Sequence, residues 1–346
     1  MQHTNAIDTQ PYICLGTNQP LPNLTPLVGG HVPSATVHII SPPERQHHSR
    51  WLARAMTAAV PDITVHIDQI SDAYNLALAQ QHFQALAERY PGGCCVNITG
   101  GSKLLTLAVW ETLRRPQDRI FYVRPNDDTV AWLHPDNRTD PIRDLLTLPL
   151  WLAAFGYEPA PDAPPRWPDV NALARSAHLG MRRLRQVAAA YARNDVHHAR
   201  RLTSKDGHWV EDALAWNLAN LFEGDATHKG RVQDVSGPFK VRMIDQPDVV
   251  NELDGAVLYN NRLTLFEAKT GAEAESAGAA TAIYRLGQLR ERLGGWISQG
   301  VFVSTRRVSD AIKARATYHR VHVIDVPPIV QLRKAIEAII SKSNVL

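Results

Sequence analysis

The chain has 346 residues, enough for two domains that each bury a core, and its 44% hydrophobic and 21% charged residues exclude a collagen-like, coiled-coil or wholly disordered protein. Its 37 Lys and Arg stand against 34 Asp and Glu, a net charge of +3, so the bulk charge neither demands nor excludes a nucleic-acid partner and any basic surface must be local. Between Tyr12 and Asn137, short β-rich runs alternate with helical stretches. Residues 12–16, 35–40, 63–70, 94–99 and 119–124 are predicted strands, and residues 46–60, 72–90 and 102–115 predicted helices. Leu104, Leu107, Ala108 and Leu113 carry the helical spacing in the last of these. Such βα alternation implies a mostly parallel sheet covered by helices on both faces, with a ligand site beyond the carboxyl ends of its strands.

Two loops fall at such strand ends. CCVNITGGSK is a buried strand that runs through polar and glycine residues into a helix. Glycines permit a close backbone turn, and the free N–H groups of a helix start attract phosphate. Asn97, Thr99, Gly100, Gly101, Ser102 and Lys103 are therefore candidate ligand residues, although the spacing is not that of an ATP-binding P-loop. After the first strand, Thr17, Asn18 and Gln19 are predicted to reach the same crevice. The three cysteines, Cys14 and the adjacent pair Cys94 and Cys95, are odd in number and partly inside an apolar run. Neither a disulfide nor a zinc site is expected, and a reducing compartment fits. The most apolar segment, residues 145–155, is too short to span a bilayer and the first residues show no secretory pattern, so a cytoplasmic protein without a membrane partner is expected.

Pro159, Pro161, Pro164, Pro165 and Pro168 mark a linker. The expected organisation is a first domain over residues 1–155, a connector over 156–206 and a second domain over 207–346. The connector holds a basic helical segment, residues 170–194, with Arg182, Arg183 and Arg185, read as a solvated helix face rather than a nucleic-acid contact. From His208 onward the pattern is a helix, a β-meander, a second helix and a further strand.

In NELDGAVLYNNRLTLFEAKT, two β-rich runs flank Asn260-Asn261, a dipeptide suited to a two-residue hairpin turn. Pairing Tyr259 with Arg262 sets Leu258 opposite Leu263, Ala256 opposite Leu265, Asp254 opposite Glu267 and Glu252 opposite Lys269, all on one face. Two opposed carboxylates repel unless something neutralises them, and a divalent cation would do so. Asp254 and Glu267 are hard oxygen ligands for Mg²⁺ or Mn²⁺, the Ala268 carbonyl is a third, and Lys269 is placed to orient or help deprotonate a water and to stabilise a phosphorane-like transition state. The plain alternative is a pair of surface cross-strand ion pairs, but the charges follow the apolar run of Leu265 and Phe266, where a buried strand ends.

Asp254, Glu267 and Lys269 resemble the D…E-x-K signature of the PD-(D/E)XK, or restriction-endonuclease-like, nucleases. The resemblance implies a further acid on the first core helix, for which Glu211 is suitably spaced from Leu214, Leu218 and Leu221, and a second core helix placing Tyr284, Arg285 and Gln288 toward the metal site. An Arg at position 285, where Lys is frequent, departs from the pattern. The two N-terminal loops resemble those of CARF domains, the Rossmann-like sensors of CRISPR systems. The whole chain thus resembles the CARF-containing ancillary nucleases of type III CRISPR systems. That resemblance implies a homodimer binding two-fold symmetric cyclic tetra-adenylate and cleaving single-stranded RNA or DNA, or nicking supercoiled DNA, when activated. The alternatives are a CARF-type DNA-binding regulator and a constitutive repair or restriction nuclease. His47-His48 and His197-His198 are expected at the surface, and Trp209, Trp216 and Trp296 in cores.

Overall fold

The alternation in the first half builds a seven-stranded sheet. The computed structural model describes residues 10–124, 127–143, 145–160, 169–203, 207–326 and 328–342, in two compact units, Met1–Gly156 and Tyr157–Leu346. The first unit runs β1 (Tyr12–Leu15), α1 (Leu21–Val28), β2 (Thr36–Ser41), α2 (Gln46–Ala59), β3 (Thr64–Gln69), α3 (Leu76–Arg89), β4 (Cys95–Asn97), α4 (Lys103–Thr112), β5 (Arg119–Arg124), β6 (Thr129–His134), β7 (Arg138–Pro141) and α5 (Leu148–Ala154). The strand order is β3-β2-β1-β4-β5-β6-β7. The first five are parallel and the last two antiparallel. Chain order reverses between β1 and β4, which opens a crevice beyond their carboxyl ends.

All five predicted strands and three predicted helices of this unit are present. Helix α1 arises inside the stretch read as a loop, where Pro20 and Pro22 sit at the start, the part of a helix that needs no amide donor. The β6–β7 hairpin was not foreseen either. Ile13, Leu15, Phe83, Val96, Leu105 and Val109 are fully buried between sheet and helices, and Cys14, Cys94 and Cys95 lie in the interior. His47 and His48 are half-buried rather than on the surface, because their rings lie against each other and against Trp51 on α2.

Asp118 fastens the start of β5. Its fully buried carboxylate accepts the Cys94 N–H at 2.9 Å, the Arg115 N–H at 2.9 Å and two guanidinium bonds from Arg115 at 2.8 Å. Asp118→Ala leaves these donors unpaired and is expected to destabilise the unit by about 3–5 kcal/mol, read as a lower urea midpoint.

The second unit runs β8 (Tyr157–Pro159), α6 (Val170–Ala192), α7 (Val196–Thr203), α8 (His208–Ala219), α9 (Ala226–Lys229), β9 (Val232–Ser236), β10 (Phe239–Met243), β11 (Val250–Leu253), β12 (Gly255–Tyr259), β13 (Arg262–Lys269), α10 (Ser276–Gly294), β14 (Ser298–Ser304), α11 (Asp310–Tyr318), β15 (Val321–Ile324) and α12 (Leu332–Lys342). A five-stranded sheet has the order β15-β14-β13-β12-β9, and a three-stranded one the order β11-β10-β8. Pro159 lies on the edge strand β8, where a missing amide donor is tolerated, while Pro161, Pro164, Pro165 and Pro168 lie outside the described residues.

One face of the larger sheet, with Val257, Tyr259, Phe266, Ala268, Val301 and Val303, forms a buried cluster together with residues of α6, α8 and α12, Trp209 among them. The basic helix is α6. Arg182 and Arg185 are exposed on it, whereas Arg183 covers the Trp209 ring and donates to the Leu202 carbonyl at 2.7 Å. Trp216 is only half-buried, and the Trp296 side chain lies outside what is described. Among the described residues no helix is long and apolar enough to cross a membrane.

Candidate active site and ligand crevice

The hairpin turns on Asn260 and Asn261, with φ of 50° and 52°, the left-handed pair of a type I′ turn, which asparagine tolerates well. Tyr259 pairs with Arg262, Leu258 with Leu263 and Ala256 with Leu265, the register read from the sequence. The Asp254 N–H still donates to the Phe266 carbonyl at 3.2 Å. There the pairing stops, because β11 leaves for the smaller sheet. Glu252 lies opposite Lys240 of β10 and not opposite Lys269, a correction to the sequence reading.

Asp254, Glu267 and Lys269 do converge. The Lys269 ammonium is 2.7 Å from Glu267 Oε1 and 3.7 Å from Asp254 Oδ2, and Asp254 Oδ2 also accepts the Ala268 N–H at 2.7 Å. The Lys269 carbonyl accepts from Thr305 on the β14 side. Backbone groups of successive strand residues point to opposite edges, so the Ala268 carbonyl is turned toward Asp254. Asp254 is 6% exposed. Burial, then the Glu267 charge, push its carboxyl from 3.8 up to about 7 against the opposing pull of Lys269 and the Ala268 N–H, with Glu211 adding to the rise. Burial lowers the Lys269 pKa, but Glu267 and Asp254 outweigh it and the net direction is upward. Lys269 therefore stays an ammonium, suited to orient water and stabilise negative charge rather than to take a proton.

This donor set fits a hard divalent cation: two carboxylates, one of them buried and raised by its neighbour, beside a carbonyl turned the same way. Among the described residues no group of three or more His, Cys, Asp or Glu side chains is arranged to hold a metal. The first ligands available are thus Asp254, Glu267 and the Ala268 carbonyl. Glu211 stands in the first turn of α8, 3.4 Å from His208 Nδ1, close enough to influence Asp254.

A pocket of about 220 Å³ opens on Glu267 and is walled by Glu252, Tyr284, Arg285, Gln288 and Arg292. The second-helix residues named from the sequence, Tyr284, Arg285 and Gln288, therefore share a wall with Glu267. Arg292 of α10 is a pocket residue the sequence did not point to, and Glu252, expected on the face of the acids through a pairing with Lys269, reaches the pocket from β11 instead. A larger cavity of about 540 Å³ between α6, α8 and α12 holds none of the acids. Beyond Lys269, buried Arg306 pairs with Glu275 at 3.1 Å and with the Thr203 hydroxyl at 3.0 Å, which fixes the chain after β13.

In the first unit, the loops after β1 and β4 meet at the topological switch point. A Cβ on Gly100 would lie 2.6 Å from the Leu15 carbonyl, and Gly101 has a φ of +78°, so both positions call for glycine. Asn97 is fully buried. Its amide donates to the Pro22 carbonyl at 2.8 Å and to Asn23 Oδ1 at 3.0 Å, and its carbonyl oxygen accepts from the Thr99 N–H and hydroxyl. The Thr99 hydroxyl also accepts from the Val123 N–H at 2.7 Å. Ser102 caps α4 by accepting from Leu105 and donates to the Ala73 carbonyl. These three side chains shape the crevice from within. Asn18, Gly101 and Lys103 are exposed, Thr17 and Gln19 half-buried, with the Thr17 hydroxyl accepting the Gln19 N–H at 3.2 Å.

Two family models match the chain, the Card1 CARF domain over residues 12–149 and the Card1-like endonuclease domain over residues 196–342. Among solved structures, it is similar to Can2 from Sulfobacillus thermosulfidooxidans in complex with cyclic tetra-adenylate, at 20% identity and a TM-score of 0.70, over 94% of this chain and 96% of that one. Protein VC1899 from Vibrio cholerae aligns at 19% identity and a TM-score of 0.77, over 96% of this chain and 98% of that one. A type III CRISPR defence DNA nuclease activated by cyclic oligoadenylate aligns at 19% identity and a TM-score of 0.61, over 87% of this chain but 46% of that one. At these identities the structural likeness shows the fold. No curated protein sequence matches the chain.

Proposed function

We propose that the chain, which matches a Card1 CARF domain followed by a Card1-like endonuclease domain, is a CARF-domain nuclease of type III CRISPR defence that cleaves nucleic acid with Mn²⁺ or Mg²⁺ when cyclic tetra-adenylate is bound. The observation that carries this reading is the convergence of Asp254, Glu267 and Lys269 at the end of the hairpin, in an endonuclease domain.

Asp254, Glu267 and the Ala268 carbonyl would hold the cation, and Glu211 would add negative charge near it. When bound, a divalent cation supplies positive charge at the scissile phosphate and acidifies water at neutral pH. Lys269 orients the attacking water and balances charge on the phosphate, and Gln288 and Arg285 hold the strand in the pocket. Support for the activator comes from the crevice between the Thr17–Gln19 and Thr99–Lys103 loops and from the similarity to Can2, solved with cyclic tetra-adenylate. The two-fold symmetric ring binds across a homodimer, Lys103 and the Gly101 backbone of each protomer meeting phosphate. The substrate is single-stranded RNA or DNA, or supercoiled DNA, and the setting is the cytoplasm.

Metal binding is testable without turnover. Because Asp254 titrates near 7 in the fold and near 4 when unfolded, metal-free protein loses stability as pH rises across that window. The cation competes with the proton, so Mn²⁺ is expected to raise the melting temperature more at pH 8 than at pH 6. Glu267→Gln should remove most of the gain. An equal gain in that variant would place the cation elsewhere.

A further inference from the structure

Three aromatic rings extend the pocket onto the surface. Tyr284 of α10 lines the pocket and is 54% exposed. Its ring meets His319 edge-on, with centroids 5.6 Å apart at 87°, and His319 meets Tyr318 in the same way at 5.2 Å and 85°. Tyr318, the last residue of α11, is 85% exposed, the most open large hydrophobic side chain among the described residues. The row is held at its centre. The His319 amide donates to Arg315 and Ala316, and a Cβ on Gly287 would come within 2.9 Å of the His319 Cβ, so α10 presses directly against that side chain.

A ring so open to water contributes little to the fold, yet here it continues a row that begins at the wall beside Glu267. Arg285 and Arg292 stand in the same wall, and Arg315 and Arg320 flank the rings in sequence. Aromatic faces interleaved with cations suit bases and phosphates of an unpaired strand, whose π-faces are free, and not a duplex, whose bases are already stacked.

We propose that Tyr284 and Tyr318, each set edge-on to the half-buried His319 between them, are the two rungs of an aromatic ladder whose open faces receive bases of a single strand leading away from the scissile phosphate, with Tyr318 the outermost. The inference rests on the nuclease reading of the pocket and adds residues that select for unpaired substrate. Tyr318 binds substrate remote from the reacting atoms, so its loss weakens binding and leaves chemistry intact.

The test uses full-length protein with Mn²⁺ and cyclic tetra-adenylate, and single-stranded oligonucleotides carrying 2-aminopurine beside the cut. Tyr318→Ala is expected to raise KM about tenfold with kcat changed less than about twofold, and to lose the fluorescence quenching that stacking produces. Tyr318→Trp should restore both, and Tyr318→Leu neither. An unchanged KM and undiminished quenching in Tyr318→Ala would overturn the ladder. So would a change in sedimentation in place of a change in KM, which would assign the ring to a protein contact. Quenching reports binding without turnover, so wild-type protein that quenches but never cleaves would refute the nuclease reading while supporting the ladder.

Discussion

Asp254→Asn is expected to lower cleavage by about a thousandfold or more while leaving the fold as stable as the wild type, or more so. The direction of the stability change follows from the site. Asp254 is 6% exposed, and burial and Glu267 drive its carboxyl up to about 7, so at neutral pH the folded protein holds a charge it disfavours. Asparagine keeps an oxygen for the Ala268 N–H at almost the same volume and removes that charge. It also removes a ligand. A melting temperature at or above wild type, with cleavage lost, would identify Asp254 as a residue retained for chemistry at a cost in stability. A fall in melting temperature of several degrees would instead mean that the carboxylate is a structural ion-pair partner of Lys269.

The second large effect lies in the other unit. Cyclic tetra-adenylate is expected to raise the cleavage rate on the order of a hundredfold, and Lys103→Glu to raise the activator concentration for half-maximal rate by a similar factor. Lys103 is exposed at the first position of α4, beside the positive φ of Gly101, so reversing its charge opposes an anion at the helix start without disturbing packing. Asn97→Ala makes a useful contrast. It removes an amide that bridges β4 to Pro22 and Asn23, and it should lower the stability of the unit as well as its response to activator. An activator response in Lys103→Glu equal to wild type would move the anion site off the loop after β4.

The parts of the fold legible in the sequence are those fixed by local chemistry. Asn260 and Asn261 both take left-handed φ, and with a period of two that turn sets which residues oppose across β12 and β13. The departure of β11 after Leu253 depends on a distant partner, β10, which no residue between Glu252 and Asp254 announces. The crevice shows the same division. The strand followed by Gly100 and Gly101 locates it, but whether Asn97, Thr99 and Ser102 face the ligand or the interior depends on Tyr12, Asn23, Val123 and Ala73, brought from elsewhere in the chain. Helix α1 was hidden by its prolines, and the half-burial of His47 and His48 follows from Trp51 packing across a helix turn.

Coupling of the carboxylates at the end of one hairpin to a nucleotide sensor in the same chain would make cleavage depend on both metal and cyclic tetra-adenylate. Its most direct test is incubation of the purified protein with labelled single-stranded RNA, single-stranded DNA and supercoiled plasmid in Mn²⁺, with and without cyclic tetra-adenylate, beside Glu267→Gln. Cleavage of at least one substrate is expected only when metal and activator are both present, and none by the variant. Cleavage at the same rate without activator, or by the variant, would contradict it.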